Sequence, residues 1–226
     1  DGTYAIEDVP FQVGIGYVAA VAYEGTTYYS ELALAEAGET NLRVDVQVYE
    51  STIDLATVQV DQMHVLFNYA TDGMEVSEIF AISNLGDRTV KGGINIPGES
   101  GASGTIQFPL PENAEFINFQ PPNSERFIKV PGGFVDVAPL VPGQMVSQFM
   151  VNYLVPYAKP STYALKTVLP VSKVNLVVPR ESGVALRAEG LGEPQPITAQ
   201  NGQLYDMYVI ESLTAGETVE VSLEGE

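Results

Sequence analysis

An all-β fold is what this sequence predicts: one or two β-sandwiches, Ig-like or prealbumin-like, with Greek-key-type connections and almost no helix. Three observations carry that expectation. Apolar and polar residues alternate over many short runs, as half-buried strands require. The 21 glycines and 15 prolines are spread along the chain as punctuation between those runs, a pattern that helices do not tolerate. The runs recur at roughly 8–12-residue spacing with turn signals between them, as in sandwich folds. No fixed-period repeat points to a solenoid or propeller.

The elements follow in order. Tyr17, Ala19, Val21 and Tyr23 alternate with Val18, Ala20 and Ala22, so both faces are apolar or small and both are expected to be covered. Glu31–Ala37 is the one helix-like stretch and is too short to hold as a helix. Leu42, Val44, Val46 and Val48 oppose Arg43, Asp45, Gln47 and Tyr49, which predicts a half-buried strand. Val58 and Val60 keep one phase; Met63, Val65, Phe67 and Tyr69 keep the other. A bulge at Asp61-Gln62 reconciles them. Thr71-Asp72-Gly73 reads as a hairpin turn. Val76, Phe80 and Ile82 form the returning strand, which ends at Asn84-Leu85-Gly86-Asp87.

A Gly/Ser-rich loop spans 92–104. Short strands are predicted at Ile106–Phe108, Glu115–Phe119, Phe127–Val130 and Phe134–Val137, separated by prolines. After the Val141-Pro142-Gly143-Gln144 turn, Met145–Val155 is the longest strand, with Met145, Phe149, Val151, Tyr153 and Val155 in phase. Further strands are expected at Tyr163–Leu169, Val174–Val178, Gly183–Ala188, Leu204–Glu211 and Val219–Leu223.

With 226 residues, 45% of them apolar, the chain can build a sizeable core and is not of disordered composition. Its net charge of −19 argues against nucleic acid or an anionic membrane as partner. The charge is uneven. Residues 1–60 hold ten acids and one base, Arg43, while residues 188–226 hold eight acids and no base. Nine of the ten bases lie within 88–187. Solubility alone accounts for an acidic surface; the sharper reading is that acidic ends of one subunit meet the base-containing middle of another. There is no cysteine, hence no disulfide or thiolate chemistry. No run of 18 apolar residues predicts a membrane span.

The opening Asp1-Gly2-Thr3-Tyr4-Ala5-Ile6-Glu7-Asp8-Val9-Pro10 reads as a turn plus a strand from the middle of a small β-domain. It has neither an initiator Met nor a signal peptide. The expectation is a processed product or fragment whose first β-unit lacks its opening strands. Residues 1–40 are then an incomplete β unit and a candidate inter-subunit strand segment. Residues 41–226 are the sandwich region, with a subdivision near 160–172.

Two resemblances bear on this. Asp1-Gly2-x-Tyr4-x-Ile6-x-x-Val9-Pro10, Gly14, Tyr17-x-x-x-Val21-x-Tyr23-x-Gly25 and Tyr28 resemble the later strands of the carboxypeptidase regulatory-like, prealbumin-type β-sandwich module. That resemblance implies a non-catalytic surface domain. Val48-Tyr49-Glu50-x-Thr52, Asn84-x-Gly86-Asp87-Arg88-Thr89, Phe108-x-Leu110-Pro111 and Val155-Pro156-Tyr157 look like the β-rich region that follows such modules in uncharacterised membrane-anchored bacterial envelope proteins. It implies a location and no activity.

The chemistry is sparse. His64 is the one histidine; a Ser-His-Asp triad would need it, and nothing near it resembles a nucleophile elbow. Carboxylates are plentiful, but Trp, the usual sugar platform beside a glycosidase pair, is absent. No cofactor is expected. Calcium is the ion best suited to the oxygen donors, yet no D-x-D-x-D-G run occurs, and Asp1-Gly2, Asp72-Gly73 and Gly86-Asp87 fit turn chemistry. No Gly-rich loop leads into Lys or a helix, so nucleotide binding has no support.

The sequence therefore predicts a non-catalytic, acidic structural protein of a bacterial or archaeal cell surface. More specifically, it predicts a homopolymer subunit of a filament or stalk assembled by strand complementation. Tyr4, Ile6, Val9, Phe11, Tyr17, Val21, Tyr23 and Tyr28 are the candidate inter-subunit contacts, since Tyr is enriched at protein interfaces. The alternative is a ligand- or polysaccharide-binding accessory module of a larger surface protein, with a glycan held at exposed Tyr and the 92–104 loop.

Overall fold

The computed structural model describes residues 2–70, 73–98, 101, 103–122, 125–156 and 161–225. Asp1, the expected turn residues Thr71 and Asp72, and part of the 92–104 loop lie outside them. The fold is all β; the one helical element among the described residues is a single 3₁₀ turn, Arg180–Ser182. The chain divides into two compact units, residues 1–50 and 51–226.

The larger unit is built on a seven-stranded sheet. Its spatial order is Glu115–Gln120, Gly143–Val155, Gly73–Asn84, Val58–Ala70, Val174–Pro179, Leu204–Ile210 and Gln195–Thr198. Within this sheet, among the described residues, only the Val58–Ala70 and Val174–Pro179 pair is parallel. Two three-stranded sheets accompany it: Ile106–Pro109, Gly133–Asp136 and Phe127–Val130, and Ser161–Lys166, Thr218–Gly225 and Val184–Arg187. Both contribute to the same core as the inward rows of the large sheet.

The inward rows are the period-two apolar residues. Met63, Val65 and Phe67 alternate with half-buried or exposed neighbours, as do Val151, Tyr153 and Val155. The expected bulge is present. Val60 pairs with Ile82 but Gln62 pairs with Ala81, so Asp61 is the inserted residue. Its carboxylate accepts hydrogen bonds from Gln59 Nε2 and the Ser83 hydroxyl. Met145 departs from its expected phase. The register slips between Gly143 and Ser147, Met145 takes φ +46° and points outward, and Ser147 is buried instead.

Six of the nine phenylalanines, at 80, 108, 119, 127, 134 and 149, form one cluster with ring centroids 4.6–6.0 Å apart. Phe80, Phe119 and Phe149 come from the large sheet; the other three come from the 106–136 sheet. Burying such rings is worth roughly 1.5–3 kcal/mol each, plus about 0.5–1.5 kcal/mol per favourable pair. Asn84 closes the strand end. Its Nδ2 donates to the carbonyls of Arg88 and Leu140, and its Oδ1 accepts from the Gly86 N–H and the Thr57 hydroxyl. All four of its hydrogen-bonding positions are used.

The smaller unit is one interrupted hairpin. Gly16–Tyr17 pairs with Ala33–Leu34 and Ala20–Tyr23 pairs with Thr26–Tyr29. The tip, Glu24-Gly25, has φ of +47° and +74°, the two positive values a tight type I′ turn demands. Ala33–Leu34 is therefore strand, not part of a helical stretch. Tyr17, Ala19 and Val21 are half-buried while Val18, Ala20, Ala22 and Tyr23 are exposed. Cover on both faces does not arise among the described residues: one row is half-buried and the other stays open.

Leu42, Val44, Val46 and Val48 are half-buried and Arg43, Asp45 and Gln47 exposed. The alternation expected of a strand is present, but the segment has no ladder partner among the described residues. Side chains tie it to the smaller unit: the Tyr4 hydroxyl donates to the Val44 carbonyl (2.7 Å) and Tyr28 to that of Tyr49 (2.9 Å). This places residues 41–50 with the first unit, although their composition puts the boundary near 40.

Candidate functional site

The candidate contact residues occupy the smaller unit. Only Thr26, Tyr28 and Ala35 are buried among its described residues. Eleven large apolar side chains between Tyr4 and Leu34 are exposed, against six in the rest of the described chain. Ile6 is 70% exposed, and Tyr4, Val9, Phe11 and Tyr23 are also open. Residues 2–13 belong to no strand ladder among the described residues.

Local bonds fix parts of this surface. Phe11 stacks on Tyr17 with ring centroids 6.1 Å apart. The Tyr17 hydroxyl accepts the Gln12 N–H and donates to the Pro10 carbonyl, which holds the chain entering the hairpin. Val21 is half-buried. Tyr28 is the exception, buried against Tyr49. The eight residues thus fall into an open set (Tyr4, Ile6, Val9, Phe11, Tyr23), a half-covered pair (Tyr17, Val21) and one core residue. Val13, Ile15, Val18, Tyr29, Leu32 and Leu34 join the open set.

A second constellation lies in the larger unit. Glu78 sits on the inward row between Val76 and Phe80 and is buried. Its Oε1 meets the hydroxyls of Tyr153 (2.6 Å) and Tyr163, and those hydroxyls are 2.8 Å from each other. Burial pushes the Glu78 carboxyl up from its ordinary range, partly opposed by the two tyrosines. Burial first, and Glu78 next, push both phenols well above theirs. The signal in the sequence was a carboxylate on the inward phase of an otherwise apolar strand, a placement that is costly without partners.

His64 is half-buried beside Asn175, 3.4 Å from Nδ1 to Nδ2, and burial lowers its pKa. Among the described residues, no three His, Cys, Asp or Glu side chains are grouped to hold a metal ion. No helix among them is long and apolar enough to cross a membrane. No protein-family model matches this chain, and no curated protein matches it either.

Proposed function

We propose that this chain is a non-catalytic structural protein of a microbial cell surface, a subunit that polymerises into a filament or stalk by strand complementation. The observation that carries the reading is the imbalance of the smaller unit. Three buried residues cannot hold a fifty-residue unit together, and a lone hairpin is marginal in water. Eleven open apolar side chains and an unladdered strand want a covering layer. A strand from a second copy would supply both the ladder bonds and the cover. The contact is heterologous, joining acidic ends to the base-containing middle, and such contacts propagate into open fibres when the rotation does not close.

The resemblance of residues 1–30 to later strands of a prealbumin-type module supports the same reading. The experiment is negative-stain microscopy of the full chain and of the Ile6→Glu/Val13→Glu variant. Both positions are exposed in the subunit, so the variant keeps its fold. Fibres from the parent and none from the variant are expected; fibres from both would sink the assignment of these residues.

A further inference from the structure

Phe116 is the most exposed large apolar side chain among the described residues, at 79%. It also holds φ at +52°, a left-handed conformation that bulky residues rarely take and that persists only where the surroundings enforce it. It stands on Glu115–Gln120, the end strand of the seven-stranded sheet. The register slips around it, between Glu115 and Asn118. An aromatic ring is thus held outward at a sheet edge that has no further strand among the described residues.

Two side chains guard this edge. The exposed Lys129 donates from Nζ to the Ile117 carbonyl at 2.7 Å, and Asn118 Oδ1 accepts the Phe119 N–H at 2.9 Å. A lysine on an edge blocks unwanted pairing. A carboxylate is a stronger partner for that ammonium than a carbonyl is, so an acidic newcomer can draw Lys129 away and free the carbonyl for a ladder. Beside the strand lies a shallow depression of about 540 Å³, where Ile79, Met150 and Pro121 meet the amides of Asn118, Gln120 and Gln148. Among the described residues, no charged side chain lines it.

Resting on the assembly reading above, we propose that this edge is the acceptor for residues 2–13 of a second copy. That segment belongs to no ladder among the described residues, leaves Tyr4, Ile6, Val9 and Phe11 open, and carries Glu7 and Asp8. Asp8, at φ +58°, interrupts its phase; as a bulge it puts Tyr4 and Ile6 on one face with Val9, Phe11 and Val13. The incoming backbone pairs with residues 117–120. Its apolar face covers Phe116 and fills the depression, and its carboxylates take Lys129. Glu115 begins the acceptor strand, so the incoming acids belong at the later half. Charge selects this edge over the far end of the sheet. Gln195–Thr198 lies within 188–226, which holds eight acids and no base, and Pro196 removes a ladder donor there. An acidic strand is repelled at that edge and drawn to this one.

The chain has no cysteine, so introduced ones report single contacts, and a disulfide needs Cα atoms within about 7 Å. Full chains carrying Ile6→Cys are mixed with full chains carrying Phe116→Cys, Gln120→Cys or Thr198→Cys, all exposed positions, and oxidised. Mass spectrometry separates mixed from like pairs, and sedimentation of the same samples reports polymer. Ile6→Cys should cross-link to Phe116→Cys or Gln120→Cys and not to Thr198→Cys. Lys129→Glu should lower the association constant at least about tenfold. Lys166→Glu, the same change of charge on another strand, should leave it unchanged, and Glu7→Lys with Asp8→Lys should restore assembly of the Lys129→Glu chain. Polymers that cross-link at Thr198→Cys or at none of the three, or that are indifferent to Lys129→Glu, would overturn this acceptor and leave the assembly reading standing. Absence of polymer from the parent chain overturns both.

Discussion

Replacing Arg126 by methionine should cost the larger unit about 4 kcal/mol, more than any surface ion pair is worth. The guanidinium forks onto Asp136, Nε to Oδ1 at 2.9 Å and Nη2 to Oδ2 at 2.7 Å. Nη2 also donates to Ser147 Oγ at 2.6 Å. Asp136 is 1% exposed. The guanidinium carbon lies 4.6 Å from the Phe127 ring centre and 5.3 Å from that of Phe149, at the rim of the phenylalanine cluster. Methionine keeps the apolar stem but leaves the Asp136 carboxylate with the Ala138 N–H as its remaining hydrogen bond.

Breaking a buried pair this way costs about 3–5 kcal/mol, and the lost cation–π contact about 0.5–2 kcal/mol, with overlap between them. Guanidinium unfolding followed by far-UV circular dichroism reads the loss, since the chain has no Trp. With a slope of about 4 kcal/mol/M, the midpoint should fall by about 1 M. Arg126→Met/Asp136→Leu should cost less than the two single changes summed, because it leaves no orphaned charge. A single-variant loss under about 1 kcal/mol would show instead that Asp136 finds water when its partner goes and that the pair behaves as a surface one.

Glu78 has a raised folded pKa, so its contribution is fully present below the unfolded value and is lost as pH rises through the folded one. Stability should fall with rising pH over that window, and Glu78→Gln should flatten the slope in denaturation midpoints. His64 has a lowered folded pKa, so its contribution is present above the unfolded value of about 6.5 and is lost as pH falls through the folded one. His64→Gln should remove that acid-side slope and leave fold and assembly intact; loss of assembly with the fold retained would contradict this. Gly133→Ala would place a Cβ 1.9 Å from the Phe108 carbonyl oxygen. It should cost about 3 kcal/mol or more in thermal unfolding, whereas Gly192→Ala, with open space around it, should be near neutral. At a net charge of −19, turbidity should report more assembly at moderate than at very low salt.

Period-two alternation made the long strands readable, and the break in phase after Val60 revealed the Asp61 bulge. Met145 was misread because a second bulge, next to Gly143, has no comparable break in the apolar pattern. The strand Gln195–Thr198 escaped notice because Pro194 and Pro196 demote it to an edge, which is where it lies. Glu78 was hidden in plain phase between Val76 and Phe80. Its partners, Tyr153 and Tyr163, lie 75 and 85 residues away, a separation no local pattern bridges. Leu42–Val48 shows the other limit: alternation states that a strand is wanted but does not name what it pairs with.

Assembly through the smaller unit is read by sedimentation of the full chain against a chain lacking residues 1–30, at equal concentration. The deletion removes Tyr4, Ile6, Val9, Phe11, Tyr17, Val21 and Tyr23. Each such side chain is worth roughly 1.5–3 kcal/mol when buried in a contact, and about 1.4 kcal/mol already changes an association constant tenfold. Fast-sedimenting polymers are expected from the full chain and a folded monomer from the truncated one, whose 51–226 core does not use the deleted residues. Two monomers would contradict polymerisation outright, and equal assembly of both would move the contact to the base-containing middle.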